Sequence, residues 1–190
     1  MQRRRRPSRN CPPPAPRENH GRFALALLQA DNDTKRVHGC VYFEQADVTR
    51  ETRVYVSLQG LTPGVSHAFH IHEYGDARRC CESMGGHFNP NGKLHGSQTW
   101  HDVERHAGDL INNLPPAGSD GAVQLAFTDP LITLFGDDCI YGCSIVVHQG
   151  TDDLGLGGTC ESLKTGSAGK RIGCAPIVRC KRDDSLRVIA

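Results

Sequence analysis

The chain has 190 residues, a formal net charge of +1 and 37% hydrophobic residues, enough for one ordinary domain with a tail. No run of 20 apolar residues occurs, which excludes a spanning helix of usual length, and no helical stripe is sustained. The 21 Gly and 11 Pro favour many turns and an all-β architecture. The only Trp is Trp100, so the core is built from Val, Ile, Leu and Phe.

Residues 1–22 carry seven Arg against one Glu, +6, which leaves −5 for the other 168 residues. This Arg- and Pro-rich stretch reads as a disordered basic arm with a capacity for polyanions or nuclear targeting. The Arg run followed by Phe23–Leu28 imitates a signal peptide. However, five prolines intervene and the apolar segment has only six residues. A first strand is the better reading, which makes the expected compartment cytoplasmic, with secretion and the nucleus as alternatives.

Short strands are then expected at 23–30, 37–45, 52–60, 65–73, 106–112, 121–128, 143–149 and 171–178, separated by turns. Two long irregular stretches, 74–105 and 149–170, each follow a His-bearing strand, and loops of that length are usually functional. Eight strands without helices predict an all-β, eight-stranded Greek-key β-barrel or sandwich of immunoglobulin-like type with two long functional loops. Nine Cys stand at 11, 40, 80, 81, 139, 143, 160, 174 and 180. An odd count leaves at least one thiol unpaired in a monomer. Disulfides and buried free thiols are both open, and the count does not fix the compartment.

The most informative stretch is His67–Asp76. Strand alternation sends Phe69 and Ile71 one way and Ala68, His70 and His72 the other. Two imidazoles on one rigid face suit copper or zinc. Ile145-Val146-Val147-His148 places His148 in the same manner on a second strand. Three or four His without an acid suit a copper that cycles between Cu(I) and Cu(II). The first long loop carries His87, His95, His106 and Asp109, at spacings of eight, eleven and three. Three imidazoles and a carboxylate make a tetrahedral set for structural zinc. So polar a loop cannot order itself by apolar burial, and metal binding supplies the missing free energy.

The segments HAFHIHEYGD, CESMGGHFNP, HG followed by RHAGDL, SIVVHQGTDDLGLGG and KTGSAGKRIGC occur in one order. Together they resemble the copper–zinc superoxide dismutase family over roughly residues 23–178. The resemblance implies one copper on His70, His72, His87 and His148, and one zinc on His87, His95, His106 and Asp109. His87 then bridges both metals. It further implies that Asp152 hydrogen-bonds a copper His and a zinc His, that Cys81 and Cys174 form a disulfide, and that Arg171 orients superoxide beside copper. Lys164 matches a charge that steers the anion. The implied activity is dismutation of superoxide to O2 and H2O2 by a Cu(II)/Cu(I) cycle, with Arg171 and His87 as catalytic groups.

Several positions depart from the family pattern. Cys160 and Glu161 stand where an acidic pair is common, and Gly150 and Thr151 replace charges after His148. Cys80, Cys139, Cys143 and Cys160 are additional. Pro176 and Arg179 intrude on the apolar last strand that forms the family's homodimer contact, ahead of a charged tail over 179–190. The alternatives are a copper chaperone, or a dismutase-like copper-binding module without turnover. The first lacks an M-x-C-x-x-C domain here, and the second should have lost a copper His or the arginine. Partners expected from the sequence are therefore superoxide, a copper chaperone that loads the site, a homodimer mate through an altered contact, and polyanions on the arm. No membrane is expected.

Overall fold

The computed structural model describes residues 21–29, 37–98 and 104–187, so most of the basic arm and Trp100 lie outside the described residues. One antiparallel sheet is ordered β6-β3-β2-β1-β9. It contains β1 (Arg22–Leu28), β2 (His38–Gln45), β3 (Thr52–Gln59), β6 (Val123–Asp129) and β9 (Val178–Arg179). The other is ordered β4-β7-β8, from β4 (Phe69–His72), β7 (Ser144–His148) and β8 (Arg171–Pro176). A ninth short strand, β5 (Arg78–Cys81), lies in the first long loop. The eight sheet strands form the expected Greek-key barrel, with the β3–β4 and β6–β7 connections passing between sheets.

Alternation builds the core. Thr52, Val54, Val56 and Leu58 of β3 are buried while Arg53 and Gln59 are exposed. Ala24, Ala26 and Leu28 of β1 and Val41 and Phe43 of β2 share that interior, and Phe69, Ile71, Ile145 and Val147 meet them from the second sheet. Each Val, Leu, Ile or Phe among them contributes about 1.5–3 kcal/mol by leaving water. The expected strand over 171–178 is split. β8 pairs with β7 through Pro176, buried Ile177 turns, and β9 pairs with β1. One length of chain thus sews the two sheets together along that edge.

The second sheet is buried on both faces, because the long loops cover its outside. There Val146 packs with Met84 and the Cys81–Cys174 disulfide. That bond joins the first long loop to β8 across 93 residues.

One expected strand is absent. Residues 106–112 do not extend; Ala107–Asp109 form a 3-10 turn. Asp109 Oδ2 accepts from the His106 amide at 2.9 Å, and Leu110 and Asn112 adopt φ of 50° and 59°. A short acidic side chain bonding its own backbone outcompetes a ladder here. The second long loop also contains one helical turn, α1 (Ser162–Thr165). Beyond β9 the charged tail packs back. The Asp183 amide donates to the Tyr42 hydroxyl at 3.2 Å, and Arg187 pairs with Glu44. Among the described residues, no helix is long and apolar enough to cross a membrane.

Candidate metal centre

The two ligand sets expected from the sequence assemble on the outside of the second sheet, under the loops. Each offers four side-chain atoms within 4.8 Å of one another. His70 and His72 come from β4 and His148 from β7, adjacent antiparallel strands. His87 reaches them from the first loop, where His72 and His87 form an antiparallel bridge.

Hydrogen bonds fix which ring nitrogen is free. A carbonyl oxygen only accepts, so Nδ1 of His72 carries a proton to Gly85 O (3.0 Å) and Nδ1 of His148 carries one to Gly169 O (3.0 Å). Their Nε2 lone pairs then face each other at 3.3 Å. His70 donates the other way, from Nε2 to Asp152 Oδ2 at 2.6 Å. This leaves His70 Nδ1 buried without a partner, and the same is true of His87 Nε2. Four imidazole nitrogens therefore converge within 4.8 Å of one another. Two are orphaned polar atoms of the kind a metal satisfies, and the all-imidazole set suits copper.

The zinc-type set is a cage around one carboxylate oxygen. Asp109 Oδ1 lies 2.8 Å from His87 Nδ1, 2.9 Å from His95 Nδ1 and 3.0 Å from His106 Nδ1. Ligands at zinc distances of about 2.0–2.1 Å sit about 3.3 Å apart on a tetrahedron, close to these separations. Asp109 Oδ2 is anchored by the amides of Gly96 (3.1 Å) and His106 (2.9 Å). His87 belongs to both sets, with Nδ1 in this cage and Nε2 in the other. Asp152 joins them a second way. Its Oδ2 takes the His70 proton, and its Oδ1 takes that of His95 Nε2 at 2.8 Å. Gly166 presses on this link, since a Cβ there would lie 2.1 Å from Asp152 Oδ1.

The two sets are electrostatically unlike. Burial, reinforced by neighbouring rings, lowers His70 to about 3. Burial also dominates at His148, which falls to about 4. These rings are neutral and ready to ligate at neutral pH. At His95 burial acts in the same direction, but hydrogen bonds to Asp109 and Asp152 outweigh it and raise the ring to about 9. Burial disfavours the Asp109 charge, yet contacts with His106, His87 and His95 hold its carboxyl well below the usual range.

A cavity of about 300 Å³ opens onto the copper-type set. It is lined by His72, His87, His148 and Arg171, together with Glu161 and Thr165. Arg171 lies opposite His148, where the β7–β8 register shifts; such a bulge re-aims a side chain. Its guanidinium donates to Cys81 O and Gly85 O, both at 2.6 Å. Gly85 O thus holds a copper-type ligand and the arginine together, with φ of 76° that favours glycine. Lys164 is exposed on α1 and does not line the cavity, whereas Glu161 of the same turn does.

Sequence reasoning missed several supports. His67, three residues before His70, points inward. It donates from Nδ1 to His148 O at 2.9 Å and accepts the Thr62 amide on Nε2 at 3.1 Å. Arg105 forms a buried ion pair with Asp129 at 2.7 Å beside His106. Asn112 and Asn113 contact Asp152. Alternation already places His67 on the core side with Phe69 and Ile71. The asparagines leave no periodic signal.

A Greek-key barrel carrying an all-imidazole site and a three-imidazole, one-carboxylate site that share a histidine defines a dinuclear copper–zinc protein. The comparisons agree. The family model for copper/zinc superoxide dismutase matches residues 37–177. The Cu-Zn superoxide dismutase of Schizosaccharomyces pombe is 45% identical over 154 residues, covering 81% of this chain and 96% of the relative. Superoxide dismutase [Cu-Zn] A of Xenopus laevis is 46% identical over 157 residues, covering 83% and 97%. Superoxide dismutase [Cu-Zn] 3 of Arabidopsis thaliana is 46% identical over 154 residues, covering 81% and 88%. The chain belongs to the copper/zinc superoxide dismutase family.

Proposed function

We infer that this protein dismutes superoxide to O2 and H2O2. The observation that carries the reading is His87, the one residue common to both ligand sets, whose Nε2 is buried without a hydrogen-bond partner and faces the copper-type rings. Bound copper supplies one-electron exchange, taking an electron from one superoxide and returning it to the next.

The residues do the rest. His70, His72 and His148 would hold copper through the nitrogens left free by Asp152, Gly85 and Gly169. His95, His106 and Asp109 would hold zinc, and Asp109 sets His87 through its Nδ1 side. His87 Nε2, buried without a partner, would be a copper ligand and is placed to hold one proton for the product peroxide, the second proton coming from water. Arg171, its fork set by two carbonyls, presents a fixed positive charge at the cavity and orients a small anion. Lys164 adds charge at longer range, screened within about 10 Å at 0.1 M salt. The basic arm, residues 1–22, carries +6 and supplies charge suited to polyanions.

The test is superoxide decay followed by stopped flow with protein loaded with one copper and one zinc. Catalysis above a copper-free control is expected, with at least a tenfold loss in Arg171→Ile at unchanged metal content. A fully loaded protein no faster than the control rules the reading out.

A further inference from the structure

We propose that Asn113, with Asn112 beside it, is a positioning residue that holds the Asp152 carboxylate in register with His70 and His95. The proposal rests on the reading of Asp152 as the link between the two metal-ligand sets.

Asp152 sits on a loop, yet its two bonds to ring nitrogens need a fixed carboxylate. Within the loop the Leu154 amide donates to Asp152 Oδ1 at 2.6 Å, but the main-chain amide and carbonyl of Asp152 itself are both bonded by Asn113. The Asp152 amide donates to Asn113 Oδ1 at 2.8 Å, and Asn113 Nδ2 donates to Asp152 O at 3.1 Å. The pair is reciprocal, so the side-chain amide has only one workable orientation; a flip sets oxygen against oxygen. Asn113 is in turn tied to the barrel, bridging Ala68 immediately before β4. The strand that carries His70 therefore also carries the clamp that places His70's partner.

Asn112 holds the carboxylate end. Its Nδ2 reaches Gly96 O at 2.8 Å and Asp152 Oδ2 at 3.3 Å, and its main-chain carbonyl accepts the Phe69 amide at 2.8 Å. Gly96 follows the zinc-type ligand His95, so one side chain joins the first loop, the second loop and Asp152. Its Oδ1 is buried with no partner. A residue present only to fill space would not carry that cost. Here the cost accompanies the two Nδ2 contacts.

The experiment uses the full chain loaded with zinc alone. Zinc affinity and the hydrogen-exchange rate of the Asp152 amide are measured for wild type, Asn113→Ala, Asn113→Leu and Asp152→Ala. Leu keeps the volume of Asn but makes neither bond. Both Asn113 variants are expected to bind zinc about tenfold more weakly, the lower end for a residue supporting a ligand, and to exchange the Asp152 amide at least about tenfold faster. A packing role predicts wild-type behaviour for Asn113→Leu, and that result overturns the proposal. So does wild-type zinc affinity in both variants while Asp152→Ala loses it. Wild-type affinity in Asp152→Ala itself instead removes the link on which the proposal rests.

Discussion

The copper-type and zinc-type sets share a histidine but are built in opposite ways. Three copper-type ligands stand on β4 and β7, and Val146 and the disulfide back the same face. Strand pairing places these rings, hydrogen bonds to Asp152, Gly85 O and Gly169 O orient them, and burial keeps His70 and His148 neutral. The zinc-type ligands come from a loop and a 3-10 turn, held around a single buried carboxylate. The first site is a product of the fold, whereas the second gathers three imidazoles around one buried carboxylate carried by a loop. A cation in that cage is part of how the loop is ordered.

Asp109→Ala is the largest expected disturbance of that contrast. It deletes the charge at the centre of the cage and orphans the Gly96 and His106 amides. The metal-free protein should lose about 2–5 kcal/mol, since each buried unsatisfied donor costs about 1–3 kcal/mol, and zinc binding should collapse while His70, His72 and His148 still take copper. Thermal unfolding and metal content check this. Equal loss of copper would mean that the strand site does not stand without the loop.

Cys81→Ser with Cys174→Ser tests the loop's covalent tether. Closing 93 residues is worth about 2–4 kcal/mol, measurable by chemical denaturation. The effect should extend to Arg171, because Cys81 O accepts from its guanidinium. Turnover should fall further than copper content.

The asymmetry was only half legible in the sequence. His70, His72 and His148 followed from period-two alternation, because a strand commits every second residue to one face. The loop ligands followed from spacing. The turn over 106–112 did not, since its apolar residues fit a strand and the override is a local bond, the His106 amide donating to the Asp109 carboxylate. Carbonyl acceptors such as Gly85 O and Gly169 O are invisible to any side-chain pattern, as is the split of the last strand at Ile177. Asn113 leaves no signal in the sequence because its work is on another residue's main chain.

The pH dependence of the metal-free protein should sharpen the comparison. His70 and His148 are lowered to about 3 and about 4 from 6.5. As pH falls below 6.5 the unfolded chain binds protons that the folded one refuses, and stability drops. His95 is raised from 6.5 to about 9, so its contribution is complete below 6.5 and fades as pH rises to about 9. Stability should therefore peak near pH 6.5, with arms of at most about 1.4 kcal/mol per pH unit per group. Zinc displaces the His95 proton and should remove the alkaline arm. An alkaline arm that persists after zinc loading contradicts the placement of zinc on His95.

Arg171→Lys should be the mildest change, a several-fold slowing with metal content intact, because Lys keeps the charge but not the fork that spans two carbonyls. Stopped-flow rates across a salt series should retain their slope in Arg171→Lys and lose most of it in Arg171→Ile.

The central claim is that His87 serves both sites at once, and metal titration of His87→Ala tests it most directly. Copper and zinc are each added to the metal-free variant, with bound metal and the copper spectrum recorded. The account predicts weakened binding of both metals and an altered copper spectrum. Full occupancy of both with the wild-type spectrum would show that His87 ligates neither and that the two sites are independent.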